Sequence, residues 1–575
     1  MKRMLTVFLI VNFLSMGMLY FHFDILNNDK IHNEEKNYHK VIFENADYID
    51  NSLSIDGTVD ITEQKVILTV QLDYARTPVD MVPGLDKNST KAEDYLYKPE
   101  DEEHYKTYHT AKNKELVETL HITDFDEIYI SSLTPFIEYT YTMYKFDLNK
   151  DTILSSLNKN DNVKKIYVQY VNNNSNVYKD SMLDGTDMAD GVQDVFYRRY
   201  TGNGITVGML ELGVIDTSHI NFQGRNVTIH NQLFLNETAS EHATMVASLI
   251  GGNQGIANEV NFLSSQIKGG ICEEVDWLIE NGADIINMSF GTELRNGIYG
   301  SSSAYVDYAA RVYNQIFVVS SGNTADITNY YIGDPGLAFN AITVGAVDTN
   351  HNWRNFSCYE VASGPIKPNI MAKGYSIIVK NFSGLHDGTS FSAAFVTGLS
   401  AMIFERIPAL INQPMKYISL MTSGATRKVT DYWYDQINNF DEQMGAGVYN
   451  YQNIIDNYIN AIDITTSTSS GNTIIYREEF TLNEGDTIHA AIAWMSYTDE
   501  DDESTTARSD YDIRLMYNGL LESVGCSTYN NVEMVTFTAP YDDSDFTIMI
   551  IQYGGTVLQN EKVSFSYNIT YADEN

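Results

Sequence analysis

Three polar side chains in this sequence have the types and flanking residues that acyl-transfer chemistry needs. The run His386-Asp-Gly-Thr-Ser-Phe-Ser-Ala-Ala-Phe-Val-Thr-Gly398 puts Ser390 at the start of an apolar, small-residue stretch that reads as a buried helix. A hydroxyl there lies beside backbone N–H groups that can help hold a developing oxyanion. Upstream, His242 sits in Glu-His-Ala-Thr-Met-Val-Ala-Ser and Asn323 in Val-Val-Ser-Ser-Gly-Asn. Together they supply a nucleophile, a base to take its proton and an amide to donate to the oxyanion. No Gly-x-Ser-x-Gly elbow frames Ser390, which argues against a lipase or esterase.

Such groups need rigid elements to hold them. From about residue 200, apolar strands (Ile205–Leu210, Ile285–Met288, Ile316–Val319, Ala341–Val344) alternate with helical stretches. Continuous apolar runs mark parallel strands buried on both faces, so residues 191–460 are predicted to form a doubly wound α/β domain. Ahead of it, 27–60 reads as a polar linker, followed by a strand at 66–72 and a charged helix around 101–118. Strands at 128–130 and 136–146, a helix at 151–157 and a strand at 165–170 complete a βαββαβ order. That order predicts a ferredoxin-like α+β domain within 27–190, closed by an Asn/Asp-rich connection at 172–190. Beyond 465, short strands at 487–494, 511–517, 532–538 and 546–552 predict an all-β sandwich over 465–575.

Composition narrows the partners. The 575 residues exceed one core, and 43% hydrophobic with 20% charged residues describes an ordered protein. With 76 acidic against 37 basic residues the net charge is −39, and no basic patch suits nucleic acid. The three cysteines, Cys272, Cys358 and Cys526, cannot all pair within the chain and form no metal-ligand cluster. Lys2 and Arg3 precede an apolar run, Met4–Phe23, so residues 1–26 read as a signal peptide or a membrane anchor. The acidic stretch from Glu34 agrees with export of the downstream chain, giving a secreted or cell-surface protein. The chain touches membrane through that segment if it stays uncleaved.

Four blocks in order give the chain its resemblance to the subtilisin-like serine peptidases (subtilases) over about 195–455. His242-Ala-Thr-Met-Val-Ala247 resembles the family's His-Gly-Thr-His-Val-Ala block, and Gly322-Asn323 its oxyanion-asparagine block. Gly388-Thr-Ser-Phe-Ser-Ala393 resembles the serine block, and Asp284-Ile-Ile-Asn-Met-Ser-Phe-Gly291 a strand beside the substrate cleft. The resemblance implies Ser390 as nucleophile, His242 as general base and Asn323 in the oxyanion hole. Cleft walls then fall at Ser289-Phe290-Gly291 and Ser320-Ser321-Gly322. Gly445-Ala-Gly-Val-Tyr-Asn450 looks like the block closing the catalytic domain. Residues 60–170 resemble the family's propeptide, an inhibitor and folding assistant, with a permanent accessory domain as the alternative. The C-terminal strands resemble the jelly-roll domains attached to many subtilases.

The third triad member departs from the family's Asp. Glu211 ends the first central strand, while Asp216 lies in Val-Ile-Asp-Thr, which spells the family's aspartate motif. Register on Asp216 would bury Glu211 and Gly213 inside a strand that should be apolar. Register on Glu211 keeps the strand apolar and leaves His219 near the family's following histidine, so Glu211 is preferred. Its extra methylene requires the backbone or His242 to retreat by about 1 Å, a shift that can lower activity. Glu241 raises the related sedolisin chemistry, but His242 occupies the base position. Met245 stands for the family's second His and Ala394 for a proline after the serine.

The expectation is an exported serine endopeptidase made as a zymogen, monomeric, acting on polypeptides and needing no cofactor for its chemistry. Structural calcium is compatible with the run Asp499-Glu-Asp-Asp-Glu503, which equally suits a solvated loop. The alternative is a catalytically weak or inactive subtilase-like surface protein that binds polypeptide or host ligands.

Overall fold

The computed structural model describes residues 41–46, 65–74, 78–83, 85, 101–171, 200–230, 239–267, 270–291, 297–325, 330–359, 361, 365–426, 439–466, 472–497, 509–553 and 561–572. The Met4–Phe23 run, the 172–190 connection and the acidic run 499–503 lie outside these residues. Among those described, no helix is long and apolar enough to cross a membrane.

The first unit comprises β1 (Val41–Ala46), β2 (Lys65–Leu72), α1 (Glu102–Val117), β3 (Glu127–Ile130), β4 (Phe136–Thr142), α2 (Met143–Asn158) and β5 (Val163–Val171). Its sheet runs β1-β5-β2-β4-β3. Strands β2 to β5 are antiparallel neighbours in the ferredoxin-like order, and β1 adds a parallel fifth strand beside β5. The stretch read as linker thus contains a strand: Val-Ile-Phe is short, but pairing along β5 supplies the partners its backbone needs. The Tyr/Thr-rich run also ends earlier than expected, since 143–150 continue as helix α2. Phe146, Leu154 and Leu157 on that helix are fully buried against β2 and β4, and this packing overrides the β preference of the run.

The central unit comprises β6 (Thr206–Glu211), β7 (Val227–Ile229), α3 (Glu241–Gly251), β8 (Asn261–Gln266), α4 (Cys272–Glu280) and β9 (Ile285–Met288). It continues through α5 (Ser301–Tyr313), β10 (Ile316–Ser320), β11 (Ile342–Val347), β12 (Ile370–Lys373), α6 (Thr389–Arg406), α7 (Pro414–Ser423) and α8 (Tyr451–Asn457). Seven strands in the order β12-β11-β10-β9-β6-β8-β7 are all parallel. Strand β6 shows why its apolar run had to be continuous. Val207 and Met209 join a core with α3 and α6, whereas Leu210 joins one with α4 and α5 on the other face. The strand order reverses between β6 and β9, so their carboxyl ends border the crevice where doubly wound sheets place functional groups. Strands β7, β8 and β12 carried too little apolar patterning to be recognised.

The C-terminal unit stacks two antiparallel sheets. One is β13 (Ile462–Thr465), β20 (Lys562–Thr570), β15 (Thr487–Trp494) and β18 (Val532–Thr538). The other is β14 (Thr473–Leu482), β19 (Ser544–Gln552), β16 (Tyr511–Tyr517) and β17 (Leu520–Gly525). Trp494, Tyr511, Ile550 and Phe565 fill the space between them, as an all-β sandwich requires.

The first unit docks on α4 and α5. Asp276 on α4 accepts hydrogen bonds from Tyr129 and Ser131 across the interface, both at 2.7 Å, and from Tyr305. Glu138 on β4 meets the amino end of α4, where the Cys272 backbone N–H and thiol donate to it. Burial raises both carboxyls, Glu138 to about 7 and Asp276 to about 6. Each takes up a proton on folding, so its contribution is whole below the ordinary carboxylate range and is lost as pH rises through 6 and 7. The melting temperature of the intact chain is therefore expected to fall between pH 5 and pH 7.5 by less in Glu138→Gln than in wild type. Equal falls in a thermal scan would contradict this account of the interface.

Candidate active site

Glu211 is the last residue of β6 and only 1% exposed, with its backbone C=O accepting from Ile267 N–H at 2.8 Å. Its Oε2 lies 3.3 Å from His242 Nδ1. That is just beyond the usual range of about 2.7–3.2 Å for such a hydrogen bond, a gap that catalytic contacts often close on substrate binding. Its Oε1 is buried with no hydrogen-bond partner among the described residues.

His242 stands in the first turn of α3. Ser240 caps that helix, its Oγ accepting from Ala243 N–H at 3.2 Å. The segment after β6 ties the cap in place: Ser240 N–H donates to the Val214 carbonyl at 2.9 Å, and Asp216 N–H donates to Thr244 Oγ1 at 2.9 Å. Asp216 thus serves α3 through its backbone. Its carboxylate turns the other way, accepting from Ser218 Oγ at 2.6 Å and Ser218 N–H at 2.9 Å. The Ser218 hydroxyl accordingly holds the Asp216 carboxyl below its ordinary range. Of the two candidate acids, the structure brings Glu211 to His242 and gives Asp216 a turn to cap.

Ser390 lies in the first turn of α6, a helix buried almost throughout. Gly398 lets α6 approach α3: a Cβ there would sit 3.0 Å from Ile256 Cβ and 3.1 Å from the Ile250 carbonyl oxygen. The approach brings the serine and histidine helices together, with the rings of Phe391 and His242 centred 6.2 Å apart. Ser390 Oγ donates to the Ser289 carbonyl at 3.0 Å. With its single proton so placed, the hydroxyl would have to rotate to offer that proton to any other acceptor.

Asn323 follows β10. Its Oδ1 accepts from Thr389 N–H at 2.8 Å and from Thr389 Oγ1 at 2.9 Å. A backbone N–H can only donate, so the amide orientation is fixed and Nδ2 faces the space over Gly388. A Cβ on Gly388, where φ is +157°, would lie 3.5 Å from that Nδ2. Thr389 was not singled out from sequence, although it sits in the Gly-Thr-Ser motif.

The expected cleft walls are mostly backbone. Ser289, Ser320 and Ser321 are buried, and the buried Phe290 side chain packs in the same apolar cluster as residues of α4 and α5. Gly291 and Gly322 are half-buried. Gly322 has φ +107°, and a Cβ there would meet Cys358 Sγ at 3.2 Å. No group of three or more His, Cys, Asp or Glu residues able to hold a metal occurs among the described residues.

A seven-stranded parallel sheet with these groups at its switch point defines a subtilisin-like fold. Residues 202–447 match the model of the subtilase family (Peptidase_S8). Alkaline elastase YaB of Bacillus sp. (strain YaB) is 25% identical over 229 residues, covering 37% of this chain and 58% of the elastase. Subtilisin-like protease 2 of Pseudogymnoascus destructans is 30% identical over 230 residues, 37% of this chain and 55% of that protease. Subtilisin of Bacillus pumilus is 28% identical over 259 residues, 41% of this chain and 88% of the subtilisin. The chain thus spans little more than half the length of the first two relatives. Among solved structures, the prenylagaramide maturation protease PagA aligns at 22% identity and a TM-score of 0.39, over 46% of this chain and 98% of that one.

Glu211→Ala is expected to lower turnover at least about 10²-fold, because an unoriented imidazole is a poor base. Asp216→Ala, which loses only a turn cap, costs less than about tenfold. Measured turnover of the two variants in the reverse order would sink this assignment.

Proposed function

We propose that the chain is an exported serine endopeptidase that hydrolyses polypeptides through an acyl-enzyme, with Ser390, His242, Glu211 and Asn323 as its machinery. The observation that carries this reading is the contact between buried Glu211 and His242 Nδ1, on a helix packed beside that of Ser390.

In the proposed cycle, Ser390 Oγ leaves the Ser289 carbonyl, passes its proton to His242 Nε2 and attacks the scissile carbonyl carbon. Glu211 orients the imidazole and balances the imidazolium charge. Asn323 Nδ2 donates to the tetrahedral oxyanion, a contact stronger in the transition state than in the bound substrate. His242 then returns the proton to the leaving amine, and water repeats the sequence to release the acyl group. An extended substrate would pair with the backbone at the ends of β9 and β10, as main-chain recognition by a strand edge allows.

In the same reading, the ferredoxin-like unit is a prosegment released by cleavage between it and the central sheet, and the N-terminal apolar run directs or anchors export. Structural calcium stays part of this reading; the run Asp499–Glu503 that suggested it lies outside the described residues.

A fluorophosphonate is expected to label the chain lacking residues 1–26, and Ser390→Ala to abolish labelling and any release of the N-terminal unit. No labelling of folded wild type, even after limited proteolysis, would favour a polypeptide-binding protein of the same fold. Asn323→Ala is expected to lower turnover by about 10²–10³-fold with little change in KM. Unchanged turnover would remove the oxyanion role.

A further inference from the structure

Ser289 and Ser390 exchange a pair of hydrogen bonds: Ser390 Oγ donates to the Ser289 carbonyl, and Ser289 Oγ donates to the Ser390 carbonyl, each at 3.0 Å. Behind Ser289, Asn287 Nδ2 donates to Ser289 Oγ at 2.8 Å, and Thr397 Oγ1 donates to Asn287 Oδ1 at 3.0 Å. All four residues are at most 6% exposed. The direction of this chain of bonds is fixed from its far end. The Ser390 carbonyl can only accept, so the single Ser289 proton is committed to it. Ser289 Oγ must then accept from Asn287, whose NH₂ faces it, and the Asn287 carbonyl oxygen is left for Thr397.

We propose that Asn287 is a positioning residue for the nucleophile, acting through Ser289 to fix where the backbone of Ser390 stands against the cleft wall. Asn287 is on β9 and Thr397 two turns along α6, so the relay ties the wall strand to the nucleophile helix at two levels. Holding the Ser390 main chain fixes the point about which its hydroxyl swings from the Ser289 carbonyl towards His242. An error of about 1 Å there can cost about 10²-fold in rate. The inference rests on the peptidase reading.

Asn287→Asp tests it, because the shape is kept and the donor is lost. An aspartate would accept the Ser289 proton and pull it off the Ser390 carbonyl. The measurement is the saturation kinetics of fluorophosphonate labelling of the full chain, read as kinact and KI. Asn287→Asp is expected to lower kinact at least about tenfold and change KI less than about threefold. Ser289→Ala, which removes one buried hydroxyl and leaves Asn287 in place, is expected to lower kinact similarly, and it carries the test alone should Asn287→Asp not fold. The double variant is expected to lose no more than either single one, as for two members of one relay. A relay variant that labels at the wild-type rate, or losses that multiply in the double variant, would overturn the proposal alone. A wild type that does not label would overturn the peptidase reading and this proposal with it.

Discussion

Glu211 has given up water at the end of the innermost strand, and one of its oxygens finds no hydrogen bond among the described residues. Removing a carboxylate from water costs several kcal/mol unless a partner compensates, roughly. The partner in place is His242 Nδ1 at 3.3 Å. Much of the surrounding structure keeps that contact possible. Strand β6 must end at Glu211, which its position at the reversal of strand order provides. The segment after it must hold α3 by its cap, which Val214 and Asp216 do through backbone bonds.

Ser390 is held from a different direction. Helix α6 meets α3 through Gly398 and meets the wall strand through the Ser289–Ser390 exchange. The ferredoxin-like unit docks on α4 and α5, across the sheet from the serine and histidine helices. It therefore bears on the scaffold that carries β9 rather than on α6 itself. Its interface mixes apolar packing with two buried carboxyls, Glu138 and Asp276, which makes docking sensitive to pH near neutrality.

Strands whose side chains enter two cores, such as those at 206–211, 285–288 and 316–320, were legible because both faces demand apolar residues. Strand β8, Asn-Phe-Leu-Ser-Ser-Gln, was not, since its serines are satisfied by contacts visible only in the fold: Ser264 Oγ accepts from Ile215 N–H. Strand β1 was hidden for the opposite reason, its existence depending on a partner more than a hundred residues away. At the site, motif order named Ser390, His242 and Asn323. The choice of Glu211 over Asp216 followed from a rule about where apolar strands end. Thr389, Asn287 and Thr397 lay within the quoted motifs but gave no sign of the hydrogen bonds they make, because a hydrogen-bond relay has no sequence period.

The most direct test of the Glu211–His242 pair is a proton NMR spectrum of the ¹⁵N-histidine-labelled Ser390→Ala chain at a pH where the histidine is charged. A strongly downfield Nδ1–H resonance is expected from an imidazolium hydrogen-bonded to a buried carboxylate. It should persist in the Asp216→Ala background and vanish with Glu211→Ala. A downfield proton that survives loss of Glu211 and disappears with Asp216 would contradict the account.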